Sequence, residues 1–162
     1  MIKTLGSNME KFIHQTFKDH RGSYTPISTN FSEKNWIQCS VSVNDAAHTF
    51  RGLHYQTQNP QSKYVKVVKG KIIDFMVDLE THETDFCLVD ENEAVLIPNN
   101  KAHGFLTLEP NTIVVYLVDD IYNPQFEKSI VWNKIPQVKK IIEENVENFD
   151  NFVISDKDAI GK

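Results

Sequence analysis

The sequence predicts an all-β protein, a sandwich or barrel assembled from short strands. Three observations carry that expectation. Short apolar runs recur at regular spacing, and turn residues separate them. Several of these runs alternate apolar and polar positions, which is the period of a strand. Only Val138 to Val146 reads as helical, with Ile141, Ile142 and Val146 on one side. A chain of 162 residues can bury a sizeable core. It shows no internal repeat, low-complexity run or linker, so residues 1–162 are expected to form a single domain.

The elements follow in order. Phe12, Ile13 and Phe17 mark a short strand, and Asp19 to Ser23 a turn. Tyr24 to Phe31 reads as an edge or bulged strand because of Pro26. Trp36 to Val43 alternates, with Gln38, Ser40 and Ser42 on one face, as a half-buried strand does. Phe50 to Gln56 is the next strand, followed by a loop through Asn59-Pro60. Tyr64–Val68 and Lys71–Leu79 flank Lys69-Gly70, which reads as a two-residue hairpin turn. Later strands are expected at Phe86–Val89, Ala94–Ile97, His103–Leu108 and Thr112–Val118. The tail from Ser155 to Lys162 is expected at the surface or loosely ordered.

Composition excludes several classes. A net charge of −5 gives no basic footprint for nucleic acid. No apolar run approaches the ~20 residues of a membrane span, and the first residues, MIKTLGSNMEKF, lack the apolar centre of a secretory signal. Cys39 and Cys87 form no metal or disulfide spacing. They fit a reducing, cytoplasmic setting as buried small hydrophobes.

Arg21, Gln38, Arg51, His54, Lys63, His103 and Tyr116 lie on or beside predicted strands. In a small barrel, inward side chains from different strands converge on one cavity. Two arginines, a lysine and two histidines there would suit an anionic, for example phosphorylated, substrate. A histidine and a lysine on neighbouring strands could serve as general base and electrostatic stabiliser. Each residue alone also fits a surface salt bridge or a satisfied polar group, so the set matters only if its members point the same way.

The segment Phe50-Arg51-Gly52-Leu53-His54-Tyr55-Gln56 is the most specific stretch of the chain. Around it, in order, stand Asp19-His20-Arg21-Gly22, Ser62-Lys63-Tyr64-Val65, Val67-Val68-Lys69-Gly70, Ile97-Pro98 and Ala102-His103-Gly104-Phe105. Val115-Tyr116-Leu117, Ile121-Tyr122-Asn123-Pro124-Gln125, Ile130-Val131-Trp132-Asn133 and Ile154-Ser155-Asp156-Lys157-Asp158-Ala159 follow. Together they resemble the dTDP-4-dehydrorhamnose 3,5-epimerase family of cupin-fold sugar-nucleotide epimerases, over most of the chain.

The resemblance implies a cupin jelly-roll barrel with a short C-terminal helical segment, in a homodimer, with no metal and no organic cofactor. The substrate it implies is a nucleotide-diphosphate sugar carrying a 4-keto group. His54 would remove the proton beside the ketone, Lys63 would hold the enolate oxygen, and Tyr116 would return a proton from the opposite face. Arg21 and Arg51 would contact the diphosphate, Gln38 and Tyr122 would lie along the nucleotide or sugar, and His103 would line the cavity near the keto oxygen.

The chain departs from the family pattern in three places. Glu80 to Asp85 replaces a longer loop, and Pro26 stands where a glutamate usually follows the Arg-Gly turn. The family's Asp-Trp-Pro after the Trp-Asn segment is absent. Its aspartate would pair with the catalytic histidine, and Glu143 or Glu144 is the carboxylate that could replace it. A related nucleotide sugar, or inversion at one carbon only, is compatible with these departures. The alternatives are a catalytically silent nucleotide-sugar-binding cupin and a metal-dependent cupin. The second lacks its His-x-His pair, since Tyr55 and Gln56 follow His54.

Overall fold

Alternation sorts strand side chains to two faces, and the chain stacks two sheets on that sorting. The computed structural model describes residues 8–28 and 33–161. Its first strands are β1 (Glu10–Ile13), β2 (Phe17–Asp19), β3 (Gly22–Tyr24), β4 (Gln38–Asn44), β5 (Phe50–Gln56) and β6 (Lys63–Lys69). Then come β7 (Lys71–Asp78), β8 (Thr84–Asp90), β9 (Glu93–Ile97), β10 (Lys101–Thr107), β11 (Thr112–Val118) and β12 (Glu127–Ser129). One sheet has the order β1-β9-β6-β11-β4 and the other β12-β5-β10-β7-β8, while β2 and β3 form a separate hairpin.

From β4 to β12 the chain changes sheet at every step except β7 to β8. This winding is that of a jelly roll, and the sandwich or barrel expectation holds. It corrects the expected hairpin at Lys69-Gly70. β6 and β7 lie in different sheets, so Gly70 carries a crossing between layers rather than a hairpin turn. Its φ of +84°, and the 2.3 Å that would separate an added Cβ from Thr112 Oγ1, explain why glycine stands there.

Val65, Val67, Ile72, Met76, Val95, Phe105 and Val114 form the apolar interior between the sheets. A second cluster covers the outer face of the β5-β10-β7 layer. There Phe50, Leu53, Ile73, Phe75, Val77 and Leu106 meet Ile135, Val138, Ile141, Ile142 and Val146. Most of these last residues belong to helix α1 (Pro136–Asn145), which starts with proline at its first turn and buries the stripe read from the sequence.

Three expectations need correction. The strand expected over Tyr24–Phe31 ends at Tyr24, its residues 25–28 are not in a strand, and 29–31 lie outside the described residues. The tail lies at the surface except for Asp158 (4% exposed), but it is not loose: Ser155 caps helix α2 (Asp156–Ile160). Cys39 is exposed, although Cys87 is buried. The cause lies in β4, whose polar side faces inward while Val41 (62% exposed) and Val43 (56%) face outward beside Cys39.

β5 contains the feature that aims the site. Phe50 and Leu53 belong to the outer cluster, whereas Arg51 and His54 line the inner cavity. Strict alternation would put Arg51 and His54 on opposite faces. The register against β10 shifts between His103 and Phe105, and Gly52 opposite has a φ of +133°. An added Cβ on Gly52 would lie 2.5 Å from Gly104 Cα and 2.8 Å from His103 O. Gly52→Ala is therefore expected to lower stability by about 2 kcal/mol or more. Chemical denaturation measures this, and a change within about 0.5 kcal/mol, the range of neutral surface substitutions, would show that the strand resets without glycine.

Candidate active site

A cavity of about 360 Å³ opens between the sheets. One sheet lines it with Gln38 and Ser40 from β4, Lys63 from β6 and Tyr116 from β11. The other supplies Arg51 and His54 from β5, His103 from β10 and Glu127 from β12. Tyr122 closes one side, and Lys157 and Asp158 reach in from α2. Seven of the eight residues singled out from the sequence thus share one cavity.

His54 is oriented by a carboxylate. Its Nε2 donates to Asp158 Oδ1 at 2.7 Å, and Asp158 Oδ2 accepts the Gly52 backbone N–H at 3.2 Å. Burial pushes the Asp158 carboxyl up, but the hydrogen bond and charge of His54, the Gly52 N–H and Lys157 outweigh it and hold it below the usual range. With Nε2 committed to Asp158, Nδ1 is the nitrogen left for a substrate. An imidazole held this way is a base whose protonated form is stabilised by its carboxylate.

His103 bonds a buried carboxylate, Asp74, whose charge also acts on Lys63. Burial lowers Lys63 to about 8, against the opposing charges of Asp74 and Glu127. Its Nζ lies 3.5 Å from the His54 carbonyl oxygen. His103 Nε2 donates to both oxygens of Asp74, at 3.0 and 2.8 Å.

Tyr116 sits on the sheet opposite His54. Burial raises its hydroxyl above the ordinary tyrosine value, and the Arg51 charge opposes this only in part, so the phenol keeps its proton. Arg51 Nε donates to Asn44 Oδ1 at 2.7 Å, which fixes the guanidinium at the cavity wall. Tyr122 OH donates to Glu127 Oε2 at 3.1 Å, and Lys157 Nζ donates to the same oxygen at 2.6 Å. Gln38 Oε1 accepts the Tyr122 backbone N–H at 3.5 Å. The cavity therefore offers a carboxylate-oriented base on one wall, a protonated phenol on the facing wall, and cations near both. Such a set can take a proton from a weak carbon acid, hold the charge that develops, and return a proton.

Arg21 is not in this cavity. It lies between β2 and β3, ion-paired to Asp19 at 2.5 Å, in a shallow depression formed by the hairpin itself. Glu143 and Glu144 do not approach His54 either. They face Lys139 and Lys140 one turn earlier on the exposed side of α1. Asp158 takes the place expected for them.

Asp158, Glu127, Lys157, Asp74 and Asn44 are the site residues that sequence reading missed. Ser155-x-x-Asp158 has the spacing of a helix-capping signal, and Ser155 Oγ does accept the Asp158 N–H at 3.2 Å. That signal marks a helix start, while the carboxylate is spent elsewhere, on His54. Asp74 is legible as the lone charge inside Ile72-Ile73-Asp74-Phe75-Met76-Val77. Among the described residues, no group of three His, Cys, Asp or Glu side chains could hold a metal ion.

Comparison with known proteins identifies the family. The family model described as dTDP-4-dehydrorhamnose 3,5-epimerase matches residues 5–162. The enzyme of that name from Methanothermobacter thermautotrophicus is 32% identical over 157 residues, covering 89% of this chain and 83% of that protein. The Neisseria gonorrhoeae enzyme is 36% identical over 132 residues, 74% of this chain but only 40% of that protein. The crystal structure of the Bacillus anthracis enzyme with TDP and PPi bound superposes with a TM-score of 0.77 at 29% identity, over 98% of this chain and 97% of that one. The chain therefore belongs to the dTDP-4-dehydrorhamnose 3,5-epimerase family.

Proposed function

We propose that this protein epimerises a nucleotide-linked 4-keto-6-deoxy sugar, of the dTDP class its relatives' names carry, at C3, C5 or both, in deoxysugar or polysaccharide biosynthesis. The observation that carries this reading is the His54–Asp158 pair facing Tyr116 across the cavity. His54 Nδ1 takes the proton beside the ketone. Lys63 and His103 hold the enolate oxygen, and Tyr116 returns a proton from the opposite face. Arg51, fixed by Asn44, meets the diphosphate, while Gln38 and Tyr122 lie along the nucleotide or sugar. Arg21 joins the diphosphate contacts only if its hairpin reaches a cavity, since within one chain it does not.

The silent-binder alternative rested on a missing partner for the histidine, and Asp158 removes that ground. The metal-dependent alternative finds little support, because His54 and His103 are each given to a separate carboxylate. Near-stoichiometric metal in protein purified without added metal would revive it.

A homodimer, as the resemblance implies, has support in the outer face. Val41, Val43 and Val68 (49% exposed) lie open there, and the β2–β3 hairpin exposes Phe17 (51%) and Tyr24 (69%). Such a run of apolar surface is characteristic of an interface.

NMR of a 4-keto-6-deoxy nucleotide sugar in deuterated water tests the chemistry. His54→Ala is expected to lose both inversion and deuterium incorporation, because no enolate forms. Tyr116→Phe is expected to retain exchange while inverted product falls by about 10²-fold or more. Full inversion by Tyr116→Phe, or undiminished exchange by His54→Ala, removes the respective role.

The pH dependence has a definite sign. Lys63 carries its charge below about 8 and loses it above. If that charge holds the enolate, kcat falls as pH rises through this value, and a flat profile to pH 10 would dismiss Lys63 as the stabiliser.

For the assembly, sedimentation should give a dimer that Val41→Asp shifts toward monomer. A monomeric unaltered protein at micromolar concentration contradicts the dimer.

A further inference from the structure

The inner face of β7 carries Ile72, Asp74 and Met76 in succession. Asp74 is 0% exposed, a carboxylate between apolar neighbours on that face. A charge in that position is costly unless it is met by hydrogen bonds and opposite charge. It does not line the cavity, but the two residues that answer it, His103 and Lys63, both do.

We propose that Asp74 is a positioning residue for the keto-oxygen side of the site, holding the His103 ring through Nε2 and supplying the countercharge for Lys63. The inference rests on the epimerase reading above. Both Asp74 oxygens converge on one ring nitrogen, at 3.0 and 2.8 Å. That contact fixes the direction of the Nε2–H bond and leaves Nδ1 as the nitrogen offered to the cavity. The same buried carboxylate opposes the effect of burial on Lys63, and it does so without lining the cavity. A carboxylate placed directly in the cavity would repel the enolate. One placed behind the two donors keeps them in position without meeting the substrate.

The charged and titratable groups around this arrangement come from seven strands. Lys63 faces Asp74 on β7, Glu127 on β12, His54 and His103 across the cavity, and Tyr116 on β11 of its own sheet. Asp74 faces His103 on β10, Lys63 on β6 and the buried Cys87 thiol paired beside it on β8. Replacing Asp74 by asparagine keeps size and one acceptor but removes the charge, so Glu127 alone opposes the effect of burial on Lys63.

The test is Asp74→Asn in the full chain. Expected is a fall in kcat on the order of ten- to a hundredfold, as for other supporting residues, with KM for the nucleotide sugar little changed. The alkaline limb of kcat should move to lower pH, and the Lys63 amine, followed by NMR without substrate, should titrate at lower pH too. A variant that is merely less stable, with the Lys63 titration and the alkaline limb unmoved, overturns the proposal. Should the variant fail to fold, ¹⁵N NMR of the histidine rings in the unaltered protein decides: a proton resident on His103 Nε2 is required, and an unprotonated Nε2 overturns it. Both NMR readouts are independent of turnover. If the unaltered protein inverts no 4-keto sugar nucleotide, the epimerase reading fails while these arms still report on Asp74.

Discussion

A charged side chain stays inside a β-barrel only if another group meets it, because the low-dielectric interior strengthens every contact and penalises every vacancy. The cavity is built from such matches. His54 is met by Asp158, His103 by Asp74, Glu127 by Lys157 and Tyr122, and Arg51 by Asn44. Each match also ties elements together. Asn44 to Arg51 joins β4 to β5 across the two sheets, and Lys63 to the His54 carbonyl does so again. Asp158 and Lys157 tie the last helix to β5 and β12. The polar wall is therefore part of what ties the two sheets to each other.

The division between core and cavity is written along single strands. On β11 the inner face passes from Val114 to Tyr116, and on β6 from Val67 through Val65 to Lys63. On β10 it passes from Phe105 to His103, both inward, while Leu106 and Ala102 pack outward. One end of the barrel thus closes on valine, methionine and phenylalanine, and the other opens on titratable groups. Side chains on regular strands have little freedom to leave such a wall, which suits a site where a base and an acid must face each other across fixed distance.

Much of this was legible before the structure. Strand positions follow from alternation and turn residues, and Thr112–Val118 coincides with β11. Arg51, His54, Lys63, His103 and Tyr116 point to one cavity, and all five line it. What escaped has physical causes. Alternation says that β4 has two unlike faces, but not that the polar one turns inward. That outcome depends on the cavity, which no single strand encodes. Gly70 carries the positive φ of a turn, yet local sequence does not tell a hairpin from a crossing between sheets. Arg51 and His54 share a wall only because the strand resets at Gly52, against the simple period of two. Asp158 lies more than a hundred positions from His54, so its partner is a matter of tertiary docking rather than spacing.

The carboxylate that orients His54 rides on a helix of only five residues. So short a helix has little stability of its own. Its position comes from what surrounds it. Val153 bridges Thr49 and accepts the Phe50 N–H at 2.8 Å, and Phe152 stacks on Phe50 with ring centres 6.3 Å apart. Ser155 caps the helix, and Lys157 reaches Glu127. These contacts fall on β5 and its neighbour β12, the strands that carry His54 and Glu127. The Gly52 N–H completes the arrangement by donating to the oxygen of Asp158 that His54 does not use. The residue that lets β5 change phase thus also fixes the carboxylate, so aiming the imidazole and orienting it both depend on one backbone position.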